Sequence, residues 1–240
     1  MIPEKLKIWD EIRVIAPSQT LDIISDLTRN NAIKRFEWLG LKVTFGKNAW
    51  KRDIMTSSSI QDRIEDLHEA FSDDNVKWVF SAIGWFSINQ LLDYIDFDLI
   101  KNNPKVLCGY SDITVLQNAI FHKTWLVVYS WPHFSTFGMQ KYFDYNMHYF
   151  QKCLMDESSF EIMASELYTD DARYIDQENR NAFENGGYKV INSWKAQWTI
   201  IWWNLSSFGL LRWTQYMPDL ADKILFIEDD GDSWNNFCVE

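Results

Sequence analysis

The chain has 240 residues, of which 47% are hydrophobic and 24% are charged, so it can bury the core of one large domain or two small ones. Its formal net charge of -11 argues against partners that need a positive surface, namely nucleic acid polymers and anionic membranes. The N-terminal residues mix charged with apolar side chains and do not resemble a secretory signal. The 3 cysteines, Cys108, Cys153 and Cys238, fit neither a disulfide framework nor a metal site, so we expect a protein of the reducing cytoplasm without a metal or cofactor.

The first half of the sequence alternates short apolar runs with segments of helical periodicity. Strands are predicted at Glu11–Ala16, Leu41–Phe45, Val76–Ile83, Lys105–Gly109 and Leu126–Ser130. Helices are predicted between them at Asp26–Leu39, Ser59–Phe71, Asn89–Tyr94 and Ile113–His122. Ser59 is the expected N-cap of one helix, and Gly40 is the expected end of another. This alternation predicts an α/β fold with an open, mostly parallel sheet, whose ligands bind at the carboxyl ends of the strands.

The second half loses this regular alternation. After a helix near Tyr145–Met155, the sequence predicts a long connecting segment and then a strand-rich unit that begins near Gly187. Its elements are expected at Tyr188–Ile191, Gln197–Ile201, Leu205–Leu211 and Lys223–Ile227, the third of them helical. We therefore divide the chain into an N-terminal domain of residues 1–135, a connecting segment of residues 136–187, and a smaller β-rich domain of residues 188–240.

The segment KVLCGYSDIT, residues 105–114, carries the strongest sign of chemistry. A buried strand ends at Gly109, and Ser111 follows on a sharp turn directly before a helix. There its hydroxyl would stand beside the free N–H groups of a helix N-terminus, which can stabilise an oxyanion. The alternative is that Ser111 is only the N-cap of this helix, with Asp112 in its first turn. Cys108, the other candidate nucleophile, lies in the predicted strand and is expected to be an inert apolar residue.

The motif GYSDIT resembles the nucleophile segment of the LD-carboxypeptidase family of serine peptidases. The resemblance extends over AIG, SINQLLDYIDFDLIKNNPK, NLSSFGLL, TQYMPDL and ILFIEDD, in the order of the family, and is strongest to the branch that contains the microcin C immunity peptidases. It implies a flavodoxin-like N-terminal domain, a connecting loop and a smaller β-rich C-terminal domain, with a Ser-Glu-His triad where the domains meet. The expected activity is hydrolysis of an amide next to a free carboxylate, by an acyl-enzyme route.

The resemblance also implies roles for single residues. Ser111 matches the nucleophile, and Glu228 matches the glutamate that orients the triad histidine. The oxyanion hole is expected from the amide of Asp112 and an amide of the loop formed by Gly84 and Trp85. The implied partners are a murein tetrapeptide or a peptidyl-nucleotide of the microcin C type, and a homodimer is compatible with the resemblance. A peptidyl-nucleotide would need an aromatic side chain for its base, with Tyr168 and Tyr174 as candidates.

The triad histidine has no clear match in this sequence. The family places it well beyond the glutamate, whereas Glu228 lies twelve residues before the last residue given. Of the 4 histidines, only His133 follows a strand of the first domain and could line its cleft. A serine without a base is a poor nucleophile, so we expect a C-terminally truncated and nearly inactive fragment. The alternative is a noncatalytic protein that binds a similar ligand.

Tryptophan is unusually frequent and glycine unusually rare in this chain. There are 13 tryptophans and only 9 glycines, where ordinary usage gives about 17 glycines for this length. The family pattern has glycine at nine of the tryptophans: Trp9, Trp85, Trp125, Trp131, Trp194, Trp198, Trp202, Trp203 and Trp213. We expect that these are UGA codons translated as tryptophan in place of glycine, so that WKAQWTIIWWNL would be a flexible glycine loop. The alternative is a real aromatic surface that binds a ligand by stacking.

Overall fold

A computed structural model describes residues 1–171 and 174–228, and it confirms the predicted parallel α/β fold. The central sheet has five strands in the spatial order β2-β1-β3-β4-β5, and every neighbouring pair is parallel. Their bounds are Glu11–Ile15 (β1), Lys42–Phe45 (β2), Val76–Ser81 (β3), Val106–Gly109 (β4) and Tyr129–Ser130 (β5). This is the flavodoxin-like strand order, which places the ends of β1, β3 and β4 side by side at one edge of the sheet.

Helices cover both faces of the sheet. Their bounds are Asp26–Trp38 (α1), Ile60–Ser72 (α2), Phe97–Asn102 (α3), Ile113–Thr124 (α4) and Asp144–Leu154 (α5), with 3₁₀ turns at Leu21–Ile23, Ile88–Tyr94 and Phe134–Gly138. Ser59 caps α2 by accepting a hydrogen bond from the Asp62 amide, and Gly40 ends the first helix at φ +76°, both as predicted. Helix α3 lies outside the elements predicted from the sequence.

Two hydrophobic clusters, one on each face of the sheet, form the core. On one face Phe36 of α1 and Phe150 of α5 pack against strand residues such as Phe80. On the other face Leu67 of α2 and Leu116 of α4 pack with the strand residues Ile15, Val79 and Leu107. Because each central strand buries side chains on both faces, its sequence is predominantly apolar.

The last third of the described chain forms two small sheets. Leu167–Tyr168 (β6) pairs with Phe183–Glu184 (β7) in antiparallel fashion, and Thr199–Asn204 (β8) pairs with Lys223–Glu228 (β9) in parallel. Between β8 and β9 lie the short helix Leu205–Phe208 (α6) and the 3₁₀ turn Gly209–Leu211. We call β8 and β9 together the C-terminal ribbon.

Three predictions about these elements need correction. The strand predicted at Tyr188–Ile191 is wrong, because these residues are exposed and pair with no described strand. The predicted strand Leu126–Ser130 is reduced to its last two residues, where it pairs with β4. The expectation of a glycine loop is wrong for Trp202 and Trp203, which lie in β8 opposite Phe226 and Ile227.

The C-terminal ribbon is attached to the large sheet through α4. The side-chain amide of Asn118, on α4, donates a hydrogen bond of 2.9 Å to the carbonyl of Trp202 on β8. Leu211 and Tyr216 lie in the chain segment that connects β8 to β9. Both belong to the same hydrophobic cluster as residues of α2 and α4. The Tyr216 hydroxyl also donates to the Asp93 carboxylate at 2.6 Å. The division of the chain at residues 135 and 187 stays a prediction.

Several of the tryptophans at family glycine positions are in unfavourable environments. Trp9, Trp125 and Trp213 have φ values of 77°, 60° and 63°, in the left-handed region that costs a side chain about 1–2 kcal/mol and glycine almost nothing. The indole N–H groups of Trp131 and Trp202 are buried without an acceptor among the described residues. Five of the nine positions thus carry a cost that glycine would not have, which supports the recoding hypothesis without testing it.

Candidate active site

Ser111 lies on the sharp turn between β4 and α4. Its φ is 62°, in the left-handed region, so the backbone holds the side chain in a conformation that is rare outside functional turns. A Cβ on Gly109, two residues earlier, would come within 2.2 Å of the Ser81 hydroxyl, so the close contact between β3 and β4 needs glycine there. The structure therefore has the strand-turn-helix geometry that the sequence predicted.

The hydroxyl of Ser111 does not cap the helix that follows. The residue before α4 is Asp112, no side chain caps the first turn, and Thr114 bonds instead to the carbonyl of Ser111. Among the described residues, none forms a hydrogen bond with the Ser111 hydroxyl, which lines an open cleft. The alternative in which Ser111 is only an N-cap is therefore wrong.

The cleft has a volume of about 610 Å³ and lies at the carboxyl ends of the strands. Ser111 lines it from the elbow, Gly84 and Trp85 from the loop after β3, and Asn204 from the end of β8. Tyr174, of the connecting segment, also lines the cleft, whereas Tyr168 packs against Phe183 in the β6–β7 hairpin. The cleft thus combines residues from all three predicted parts of the chain.

Glu228 reaches this cleft through Asn204. Glu228 ends β9 directly opposite Asn204 at the end of β8, and the Asn204 side-chain amide donates to the Glu228 carboxylate at 3.4 Å. The other end of the Asn204 amide accepts hydrogen bonds from the Ser207 amide and hydroxyl at 3.1 and 2.8 Å. The structure thus places Glu228 one residue behind the wall of the cleft that Ser111 lines.

Sequence reasoning missed Asn204. The available signal was an asparagine directly before the predicted helix Leu205–Leu211, which is a common N-cap pattern. The cap uses only the side-chain oxygen of Asn204. Pairing of β8 with β9 places Glu228 beside the side-chain nitrogen, which donates to it. Only the strand register reveals this second contact.

Asp112 has a buried side chain that joins two loops. Its carboxylate accepts hydrogen bonds from the Ser18 hydroxyl at 2.6 Å and from the Trp85 amide at 2.7 Å. Burial raises the pKa of Asp112 above its ordinary value, and the bonds from Ser18 and Trp85 limit that rise. The amide of Asp112 itself bonds to no described residue.

This arrangement corrects one part of the predicted oxyanion hole. The single hydrogen of the Trp85 amide already points at the Asp112 carboxylate, so Trp85 is not available to a substrate oxygen in this structure. The Gly84 amide points at Nδ1 of His133, at 3.3 Å. The Asp112 amide, at the N-terminus of α4, is the donor of the three that this geometry favours.

None of the four histidines lines the cleft. His133 is buried, and its Nε2 lies 2.8 Å from the carbonyl oxygen of Tyr110. His68, on α2, accepts a hydrogen bond from the Asp96 amide, and burial lowers its pKa. His122 is near the end of α4 and His148 lies within α5. The base that the resemblance implies is thus absent from this cleft.

The remaining chemical candidates are the potential metal-ligating side chains and Cys108. In residues 1–171 and 174–228, His, Cys, Asp and Glu form no group of three or more that could hold a metal ion. Cys108 is fully buried in β4, and burial raises the pKa of its thiol well above the ordinary value, as expected for an inert cysteine. Every helix in the same part of the chain is too short or too polar to cross a membrane.

Comparison with known proteins gives one family. The family described as LD-carboxypeptidase, N-terminal domain, matches residues 12–130. YocD of Bacillus subtilis, a carboxypeptidase by name, is 46% identical over 96% of this chain and 71% of its own length. The microcin C7 self-immunity protein MccF of Escherichia coli is 29% identical over 85% of this chain and 63% of its own length.

Solved structures agree with this relationship. A crystal structure of an MccF-like protein from Bacillus anthracis has a TM-score of 0.94 and 52% identity, and the match covers 96% of this chain and 70% of that one. MccF has been solved in complex with glutamyl sulfamoyl guanosine and in complex with aspartyl sulfamoyl adenosine. In both structural alignments it is 25% identical to this chain. The first five curated relatives extend further, since this chain spans between 63% and 71% of their length.

Proposed function

The chain belongs to the LD-carboxypeptidase family of hydrolases, and on that premise we propose that Ser111 is the nucleophile of a serine peptidase. The observation that carries the proposal is the left-handed backbone of Ser111 at the end of β4, with its hydroxyl in the cleft. A non-glycine residue in this region costs about 1–3 kcal/mol and persists where the surrounding structure enforces it. A serine held in this way, at the carboxyl edge of a parallel sheet, is suited to attack a bound carbonyl carbon.

The proposed reaction follows from the groups around Ser111. The Ser111 oxygen bonds to the carbonyl carbon of the scissile amide while its proton passes to a base, and the carbonyl oxygen takes the negative charge. The Asp112 amide, at the helix N-terminus, is placed to stabilise that oxyanion. When this tetrahedral intermediate collapses, its C–N bond breaks and the amine leaves with the proton that the base had taken from Ser111. Water then hydrolyses the acyl-enzyme and releases the free serine.

The base is the part that this chain does not supply. The resemblance implies a histidine beyond Glu228, oriented by that carboxylate, and the sequence from 229 to 240 contains none. We therefore propose that the 240 residues by themselves bind substrate and turn it over very slowly. Glu228 would be the group that receives the ring of a histidine supplied from a longer chain.

For the substrate, we propose a peptidyl-nucleotide of the microcin C type, in which the amide that is hydrolysed lies next to a free carboxylate. The support is that MccF has been solved with aminoacyl sulfamoyl nucleosides and that Tyr174 lines the cleft with Ser111, where its ring is available to stack on a base. Tyr168, the other aromatic candidate, is paired within its hairpin. A murein peptide is the competing substrate and is tested in parallel.

The decisive experiment is a chimera. Residues 1–228 are joined to the segment that follows the matching glutamate in the MccF-like protein of Bacillus anthracis, which is 52% identical. The chimera is assayed with aspartyl sulfamoyl adenosine and with a murein tetrapeptide, beside a Ser111→Ala version. We expect hydrolysis of the nucleoside substrate at least about a hundredfold above the Ser111→Ala version. Equal activity of the two would overturn the assignment of Ser111, and hydrolysis of the murein peptide alone would overturn the proposed substrate.

A noncatalytic ligand-binding protein is the second candidate, favoured by the absence of a histidine from the cleft. The two candidates make nearly the same prediction for the 240 residues alone, which should bind the ligand with very slow turnover or none. They differ in the chimera, because only an enzyme scaffold regains hydrolysis when a histidine is supplied. The reading frame beyond codon 240 gives a second, independent discrimination.

A further inference from the structure

His133 occupies an unusual place between two loops of the candidate site. It lies in the loop after β5, is only 2% exposed, and stacks on the ring of Tyr110 with centroids 4.1 Å apart. Its Nε2 lies 2.8 Å from the Tyr110 carbonyl oxygen, and the Gly84 amide donates to its Nδ1 at 3.3 Å. One imidazole thus contacts the loop after β3 and the residue that directly precedes Ser111.

These two contacts fix the tautomer of the ring. A backbone amide can only donate, so Nδ1 of His133 must be unprotonated where Gly84 bonds to it. The hydrogen of the neutral ring is then on Nε2, where it can donate to the Tyr110 carbonyl. A ring whose two nitrogens are engaged by main-chain groups is unsuited to accept a proton from Ser111.

Close packing makes this arrangement relevant to the nucleophile. A Cβ built on Gly84 would lie 2.9 Å from Cε1 of His133 and 3.0 Å from Cβ of Ser111. Gly84 therefore packs closely against both the His133 ring and the Ser111 side chain, with no room for a side chain of its own. The hydrogen bond from the Gly84 amide thus ties the loop beside the nucleophile to the position of the His133 ring.

We propose that His133 is a positioning residue, which holds the Gly84 loop and the Tyr110–Ser111 peptide in fixed relation. This proposal rests on the assignment of Ser111 as the nucleophile. The imidazole acts through the two backbone groups, with Nδ1 as acceptor for Gly84 and Nε2–H as donor to Tyr110. It transfers no proton in the reaction.

The first test uses the 240-residue chain and does not depend on activity. Nitrogen and carbon chemical shifts of the His133 ring should show the neutral Nε2–H tautomer, with an Nε2–H signal that is protected from exchange. In His133→Gln, the longer side chain can place its amide donor at the position of Nε2 but leaves no acceptor at the position of Nδ1, so exchange of the Gly84 amide should become faster. In His133→Asn, which keeps that acceptor, it should stay near the wild-type rate. The Nδ1–H tautomer, or unchanged Gly84 exchange in both variants, would overturn the proposal.

The second test uses the active chimera. We expect His133→Gln and His133→Phe to lower kcat by about 10- to 100-fold, with KM and the pH dependence of kcat unchanged, because the nucleophile is misplaced and no titrating group is lost. His148→Gln, on α5 and outside the cleft, is the matched control and should keep full activity. Loss of one limb of the pH profile would make His133 the base and contradict the proposal. An inactive wild-type chimera would refute the proposed function alone, since the chemical shifts still decide the role of His133.

Discussion

The two sides of the cleft are built in opposite ways. On the elbow side, the side chains of Asp112 and His133 are buried and bonded to backbone or side-chain groups of neighbouring loops. On the other side, the C-terminal ribbon exposes much of its apolar surface, including Ile200 at 58% and Ile227 at 56%. The nucleophile is thus held by a complete core, whereas the glutamate is held by a two-stranded ribbon that depends on its contact with α4. The position of Ser111 therefore depends on the buried core, whereas the position of Glu228 depends on the packing of the ribbon against α4.

The largest expected effect is on the elbow side, at Asp112. Replacing Asp112 by Ala leaves the Ser18 hydroxyl and the Trp85 amide without their acceptor, so we expect a loss of about 2–3 kcal/mol in the free energy of unfolding. Asp112→Asn is the matched control, because its amide can accept from Trp85 and donate to Ser18. Its stability at neutral pH should lie within about 1 kcal/mol of the wild type. Urea unfolding measures both, and equal losses would refute the proposed network.

The comparison of the wild type with Asp112→Asn also predicts a pH dependence of stability. Because the pKa of Asp112 is raised in the folded state, its contribution to stability is fully present below the ordinary value of 3.8 and is lost as the pH rises through the raised value. Asp112→Asn has no such group. The stability of Asp112→Asn relative to the wild type should therefore increase as the pH rises above 3.8, and a decrease would mean that the carboxylate is stabilised in its ionised form.

On the ribbon side, Asn118 should have the next largest effect. Asn118→Ala removes the hydrogen bond to the Trp202 carbonyl and the bond to Thr114, with an expected cost of about 1–2 kcal/mol. Amide exchange in β8 and β9 should accelerate, while β1, β3 and β4 keep their protection. Asn31→Ala, on α1 and against the opposite face, is the control and should leave exchange in the ribbon unchanged. Uniform acceleration in both sheets would show that the two sides unfold as one unit.

Glycine at the left-handed tryptophans should stabilise the chain. We expect Trp9→Gly, Trp125→Gly and Trp213→Gly each to raise the free energy of unfolding by about 1 kcal/mol, because they relieve a left-handed backbone at exposed side chains. Trp38→Gly, at the last residue of α1, is the control and should cost up to about 1 kcal/mol. A lower free energy of unfolding in all three variants would contradict the expectation that glycine is favoured at these positions. Independently, UGG codons at the nine positions would end the recoding hypothesis.

The smallest effect is expected where the segment that connects β8 to β9 contacts the 3₁₀ turn that contains Asp93. Tyr216→Phe removes the hydroxyl that donates to Asp93 but keeps the ring in the hydrophobic cluster. We expect a loss of about 0.5–1 kcal/mol in urea unfolding, with exchange in β8 little changed. A larger loss than that of Asn118→Ala would identify Tyr216, and not Asn118, as the main attachment of the ribbon.

Much of the fold could be predicted from the sequence because it depends on local patterns. The apolar runs of β1, β3 and β4, the cap at Ser59 and the turn at Gly40 are each specified within a few residues. The weakest predictions were in the second half, where the strand expected at Tyr188–Ile191 lacks a partner and the β6–β7 hairpin has only two residues on each side. Short strands exist only through pairing, and pairing is not visible in a single segment.

The sequence by itself determined the parallel α/β fold and the position of Ser111 between a strand and a helix, since strand, turn and helix are consecutive along the chain. The tertiary structure decided what surrounds that serine. Asp112 finds its partner in Ser18, 94 residues away, and His133 joins Gly84 and Tyr110, at separations of 49 and 23 residues. Such contacts depend on strand order and register, which bring distant loops to one edge of the sheet, and local propensity carries no information about them.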